Sequence, residues 1–261
     1  MLPMGGMGVV IGRLGERMRW LETFQHLGVG VSDDPLATLV HYVCGDMLDW
    51  AGPVGGELCW KRLTHRGVQW MDRIVFPKRE RRYIFSPRFE IRFDTAFEAT
   101  MRGCAEQVRR EPTWITEPYI RAMVGLHQMG YAHSFEAWSE GKLVGGAFGV
   151  QLGSIMTCDS MFHRVSNASK AAYGQTLVRL RERGFRLLDT NGVVSHRVKY
   201  GEEWMAQWRF EELVGECLRE WPRLVDGGRV TVRGLPWEVR AALPVLRVGR
   251  RLGLGGSAGN H

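Results

Sequence analysis

Residues 133–162 read HSFEAWSEGKLVGGAFGVQLGSIMTCDSMF. Two turns divide the stretch into three runs. His133 to Trp138 alternates, the period of a strand. Glu140-Gly141-Lys142 is turn chemistry, and Leu143 to Leu152 is a short apolar run that contains glycine. Gly153-Ser154 turns the chain again, and Ile155 to Phe162 returns. Short runs joined by tight turns form an antiparallel meander. The glycines of Gly145-Gly146-Ala147-Phe148-Gly149 fall inside a strand pattern. There they mark a bulge or a close backbone approach rather than a phosphate loop.

Working outward, Phe89, Ile91 and Phe93 alternate with Glu90 and Arg92, which predicts a strand. Asp94 or Thr95 can cap a following helix that carries Phe97, Met101, Cys104 and Val108 on one face. Thr116 is a second cap, with Pro118 in the first turn and Ile120, Met123, Val124 and His127 at helical spacing. Beyond the meander, residues 167–183 predict a long helix with Tyr173, Leu177 and Leu180 inside, stopped by Gly184. Residues 185–189 predict a strand and 209–218 a last helix. The order predicts an α/β domain with helices flanking a mixed sheet. GNAT-like (acyl-CoA N-acyltransferase-like) domains share it. The expected division is a small N-terminal domain at 1–84, the GNAT-like domain at 85–222 and a basic Gly/Arg-rich tail at 223–261. Within the first, Ser32-Asp33-Asp34-Pro35 starts a helix bearing Leu36, Leu39, Val40 and Val43.

The 261 residues are 44% hydrophobic and 24% charged, an ordinary globular balance. Five cysteines, odd in number and with no CxxC pair, suggest neither a disulfide framework nor a zinc site. His127, His133, His163 and His196 show no ligand spacing, so no metal is expected. HExxH and P-loop motifs are absent. No apolar run is long enough to span a bilayer, so a cytoplasmic protein is expected. The net charge of +7 is uneven: Lys61 to Arg92 holds ten Lys and Arg against three acids. Such a concentration suits a polyanion or a solvated face.

Two acid-bearing strand ends can carry chemistry. Alternation puts Thr157, Asp159 and Met161 on one strand face, and Met156, Cys158, Ser160 and Phe162 on the other. Asp159 beside Met161 can hold an amine and an aliphatic group together, or cap a turn. Asp189 and Asn191 stand two apart and can orient an amine. Asp-Thr-Asn-Gly is equally good Asx-turn chemistry, and by spacing alone the turn is favoured.

Thr113-Trp114-Ile115, the run from Gly130 to Trp138, Leu143-Val144-Gly145-Gly146, Asp159-Ser160-Met161-Phe162, Asn167-Ala168-Ser169-Lys170, the run from Gly184 to Asp189, and His196 occur in an informative order. In that order and spacing they resemble the leucyl/phenylalanyl-tRNA–protein transferases. The resemblance implies a GNAT-like fold and transfer of Leu, Phe or Met from aminoacyl-tRNA to a protein N-terminal Arg or Lys. It implies neither metal nor coenzyme A. A monomer is expected. Carried over by position, Asp159, Asp189 and Asn191 are the catalytic set. Trp114, Ser160, Met161 and, across a gap, Trp70 bind substrate. By their charge and not by position in the family, Arg62, Arg66, Arg73, Lys78, Arg79, Arg81 and Arg82 are expected to supply phosphate contacts for tRNA.

Asp159 stands where the family has Glu, and Asn191 where it has Gln. Each keeps its functional group and loses one methylene, about 1.5 Å of reach. Either the backbone moves inward and the family reaction persists, or the pocket is widened for another acceptor such as a small-molecule amine. The rivals are an N-acetyltransferase and a non-catalytic RNA-binding relative. The first needs a glycine-rich pyrophosphate loop where Phe162-His163-Arg164-Val165-Ser166-Asn167 has no glycine.

Overall fold

The expected meander forms the middle of the sheet, and a helix precedes it where Asp34 ends an Ser-Asp-Asp run. The computed structural model describes residues 31–50, 54–107, 112–226, 232 and 234–241. Helix α1 (Pro35–Val43) starts where Asp34 accepts the Leu36 N–H, with Pro35 in its first turn. Strands β1 (Asp46–Trp50) and β2 (Leu58–Arg62) make a separate two-stranded antiparallel ribbon. Then come β3 (His65–Trp70), α2 (Lys78–Ile84), β4 (Glu90–Phe93), α3 (Phe97–Gln107) and α4 (Glu117–Gln128). The meander is β5 (Ala132–Ser139), β6 (Lys142–Leu152), β7 (Ile155–Thr157) and β8 (Ser160–His163). Helix α5 (Ala168–Glu182), β9 (Leu187–Asp189), α6 (Ser195–Val198), β10 (Glu203–Ala206) and α7 (Gln207–Cys217) complete the order.

The main sheet runs β10-β3-β9-β7-β6-β5-β4, with β8 also on β6. Only the β7–β9 pair is parallel; the other pairs are antiparallel. This is the mixed α/β class expected. Strand β3 precedes residue 84 yet pairs with β9 and β10, so the sheet runs through the boundary expected there. Val108, the opening 1–30 and most of the 223–261 tail lie outside the described residues. One sheet face packs under α1, α3, α4 and α7 through residues such as Leu39, Met101, Leu126, Phe148 and Leu213. Helix α5 covers the other, where Tyr173, Leu177 and Leu180 meet Phe135, Met156 and Leu188.

Strand β5 is buried on both faces over most of its length. Ser134 and Glu136 are both fully buried. The two residues that lead into α3 lie over them: Glu136 Oε1 accepts N–H bonds from Thr95 (2.9 Å) and Ala96 (2.7 Å), and Oε2 accepts from Trp138 Nε1 (2.9 Å). A buried carboxylate is tolerated when its lone pairs are filled, and the positive end of a helix is a favourable place for it.

The returning strand is interrupted. Gln151 opposes Met156, whereas Phe148 opposes Ser160. Three steps on β6 therefore face four on the returning strand, and the extra residue is a bulge at Cys158-Asp159. The Cys158 N–H donates to the Asp189 carbonyl (2.7 Å) and the Asp159 N–H to the Phe148 carbonyl (3.0 Å), so both neighbouring strands hold the bulge. Gly149 makes room for it: a Cβ there would lie 1.9 Å from the Thr157 carbonyl oxygen. Gly149→Ala is expected to lower stability by about 1–3 kcal/mol, read as a lower urea midpoint at unchanged slope.

Candidate active site

A bulge changes which side chains share a face, and here it separates Asp159 from Met161. Met161 turns to the α5 side and packs against the cluster that contains Met156, Cys158 and Tyr173, while Phe162 joins the opposite core with Phe97 and Met101. The expectation that Met161 lines a substrate pocket beside Asp159 is corrected: strict alternation fails by one residue at the bulge.

Asp159 faces α1 and α4. The Tyr42 hydroxyl donates to Asp159 Oδ2 at 2.5 Å, and the Tyr42 and Tyr119 hydroxyl oxygens are 2.6 Å apart. A hydroxyl has one proton. With Tyr42 donating to Asp159, Tyr119 must donate to Tyr42, and the chain polarises towards the carboxylate. Burial pushes the Asp159 carboxyl up from 3.8 to about 6, against the Tyr42 and Thr157 hydrogen bonds that favour its charged form. Burial also raises Tyr42 and Tyr119 well above the usual phenol range. Tyr42→Phe removes a bond to the charged form. The pH at which Asp159 ionises is then expected to rise above about 6, seen as an alkaline shift of its carboxyl titration by NMR.

Asn191 reaches the same place from the end of β9. It sits in the left-handed region at φ 60°, which Asn tolerates better than most residues. Its N–H donates to Asp189 Oδ1 at 2.9 Å, the Asx turn that the spacing favoured. Arg66 holds the rest. Its Nε and Nη2 donate to Asp189 Oδ2 at 3.0 and 2.6 Å, Nη2 also donates to Asn191 Oδ1 at 2.9 Å, and Nη1 donates to the Gly45 carbonyl at 2.8 Å. Arginine has only donors, so the Asn191 oxygen must face it and the amide NH₂ is left for the opposite side. Asp189 is fully buried behind Asn191 with both oxygens engaged. It positions the neighbouring groups and does not face the cavity.

Asp159 and Asn191 converge on a cavity of ≈ 140 Å³ lined also by Tyr42, Met47, Leu48, Asp49, Trp114 and Tyr119. The ribbon β1–β2 contributes Met47, Leu48 and Asp49, α1 and α4 contribute the tyrosines, and Trp114 precedes α4. Three sequence-predicted residues, Trp114, Asp159 and Asn191, are thus brought together. Trp70 and Ser160 are not among the lining residues: Trp70 Nε1 donates to Glu203 at 2.7 Å, and Ser160 lies beside the buried Cys104. Tyr42, Tyr119, Met47, Leu48 and Asp49 escaped the sequence reading. Tyr119 reads as an ordinary core position, and Tyr42 stands one residue off the Leu36, Leu39, Val40, Val43 stripe.

The basic residues divide. Arg66 is 1% exposed and directed at Asp189, Asn191 and Gly45, so it is not a phosphate contact; that expectation is corrected. Arg62 is exposed and pairs with Glu211 at 2.6 Å. Arg73 is exposed beside Glu203 (3.6 Å). Lys78, Arg79, Arg81 and Arg82 are exposed along α2. Among the described residues, no three His, Cys, Asp or Glu gather in a metal-holding group, and no helix is long and apolar enough to cross a membrane.

A sequence model of the leucyl/phenylalanyl-tRNA protein transferases matches residues 68–215, which include Trp114, Asp159, Asp189 and Asn191. A leucyl/phenylalanyl-tRNA–protein transferase of Paramagnetospirillum magneticum is 42% identical over 165 residues, 63% of this chain and 79% of that one. One of Gloeobacter violaceus is 45% identical over 146 residues, 56% and 74% of the two chains. Among solved structures, FemX aligns with a TM-score of 0.41 at 12% identity over 59% of each chain. L-PGS from Bacillus licheniformis aligns with a TM-score of 0.39 at 11% identity over 67% of this chain and 68% of that one. With a family match over more than half its length and relatives above 40% identity, the chain belongs to the leucyl/phenylalanyl-tRNA–protein transferase family.

Proposed function

We propose that this protein transfers an apolar amino acid of the Leu, Phe or Met type from aminoacyl-tRNA to an amine, foremost the N-terminal Arg or Lys of a protein. The observation that carries the reading is one cavity with a proton acceptor, a hydrogen-bond donor and apolar walls: Asp159, the Asn191 amide, and Met47, Leu48 and Trp114.

The aminoacyl ester is already activated, so alignment and charge stabilisation suffice. Above pH of about 6, ionised Asp159 accepts a proton from the acceptor amine. The neutral nitrogen attacks the ester carbonyl, and the carbonyl oxygen gains negative charge. The Asn191 NH₂ donates to that oxygen. As the intermediate collapses, the C–O bond to the tRNA ribose breaks and Asp159 returns the proton to the leaving oxygen. One ester and one ammonium thus give one amide, one alcohol and one proton, which the attacking nitrogen sheds to solvent as the intermediate collapses. Met47, Leu48 and Trp114 would surround the donor side chain. The α2 cations would seat tRNA phosphates, which ask for charge rather than sequence. Charged tRNA is cytoplasmic, and the reaction would take place there.

Both shortened side chains are held by protein partners, Asp159 by Tyr42 and Asn191 by Arg66. This favours the family reaction with an adjusted frame over a pocket emptied for a different acceptor. The test is incubation with tRNAs charged with labelled leucine, phenylalanine or methionine in a cell extract. Label at basic protein N-termini supports the reading; label confined to small amines contradicts the acceptor assignment.

A further inference from the structure

The cavity holds a second acid that the reaction above leaves unused. Asp49 lies on β1 opposite Cys59, and Lys61, two residues further along β2, is its diagonal neighbour on the same face of the ribbon. Lys61 Nζ sits 3.0 Å from Asp49 Oδ2, with the two side chains 36% and 40% exposed. Asp159 is set deeper and bonded to Tyr42. The two carboxylates therefore differ in kind: one is held for proton transfer, the other stands at the rim already paired with an alkylammonium.

We propose that Asp49 reads the charge of the acceptor by holding its cationic side chain, with Lys61 occupying that seat in the empty enzyme. This rests on the aminoacyl-transfer reading and adds the residue that would select the acceptor. A half-exposed ion pair contributes little in water, so an incoming ammonium or guanidinium can replace Lys61 at small cost. A guanidinium gains more, because its planar fork matches a carboxylate. Trp114, on the same cavity, offers an aromatic face for the aliphatic stem or the cation. A cation at Asp49 has two possible sources, the basic side chain of the acceptor and the α-ammonium of the donor. The donor is common to every acceptor, so a comparison of acceptors isolates the first.

The experiment measures transfer from leucyl-tRNA to two peptides that differ only at the N-terminus, arginine against its neutral isostere citrulline. Wild type is expected to prefer arginine at least about tenfold in kcat/KM. Asp49→Asn is expected to bring the ratio near one, chiefly through KM for the arginine peptide, and Asp49→Glu to keep most of the preference. An unchanged ratio in Asp49→Asn overturns the proposal. So does a loss seen only as a raised KM for the tRNA, which would make Asp49 the seat of the donor ammonium. Calorimetric binding of arginine amide and citrulline amide needs no turnover. Selective, Asp49-dependent binding without any transfer would count against the reaction alone. Equal or absent binding of both amides would count against Asp49 whether or not transfer occurs.

Discussion

Asp159→Asn is expected to slow single-turnover aminoacyl transfer by about 10²–10⁴-fold, the usual contribution of a positioned general base. Asparagine fills the same volume and can still meet the Tyr42 hydroxyl, so the loss reports chemistry more than packing. The wild-type rate is expected to climb with pH through about 6, where Asp159 loses its proton, and the residual rate of the variant to lack that limb. Stability moves the other way. The folded-state carboxyl titrates near 6 and the unfolded one near 3.8, so the folded protein holds the proton more tightly. Stability therefore falls as pH rises between those two values and carries the cost of a desolvated carboxylate above them. Asp159→Asn removes that cost, and its melting temperature at pH 7.5 is expected to exceed that of wild type. A variant both slower and more stable is the signature of a charge kept for function. Equal rates for the two proteins in a rapid-quench assay would remove Asp159 from the mechanism.

The second large effect falls on Arg66. Asp189 is fully buried, and Arg66 supplies both N–H bonds to its Oδ2. Arg66→Ala leaves that carboxylate uncompensated, which costs about 3–5 kcal/mol. It also frees the Asn191 oxygen and removes the guanidinium lying 4.4 Å from the Phe210 ring centre. Urea denaturation is expected to show the loss directly. Replacing both partners by apolar residues, Arg66→Met with Asp189→Leu, is expected to recover much of the stability. It should not recover transfer, since Asn191 then lacks the bonds that aim its amide. Recovery of full activity in the double variant would show that the Arg66–Asp189 pair has no positioning role.

The central architecture was legible because its signals are local. The turns at Gly141 and Gly153, the Asp34 cap and the stripes of α4 and α5 each act within a few residues. What escaped is non-local. Strands β3 and β10 are short, and they acquire meaning only by pairing across more than a hundred residues of chain. The burial of Glu136 depends on where Thr95 and Ala96, just before α3, come to rest. The displacement of Met161 depends on a single extra residue at Asp159, and no alternation pattern can register that. Arg66 shows the same limit in charge: as one cation among ten it reads as surface, and its burial follows only from meeting Asp189 and Asn191. Trp114, Asp159 and Asn191 were found through the family pattern, whereas Tyr42, Tyr119 and Asp49 come from elements whose convergence no motif records.

The most direct test mixes the purified protein with labelled leucyl-tRNA and a peptide beginning with arginine, and weighs the peptide. The expected result is a mass increase of one leucine residue at the α-amine, lost when Asp159 is changed to Asn. Stable tRNA binding with the label still esterified and the peptide mass unchanged would contradict the account, and would leave a nucleic-acid-binding protein in place of a transferase.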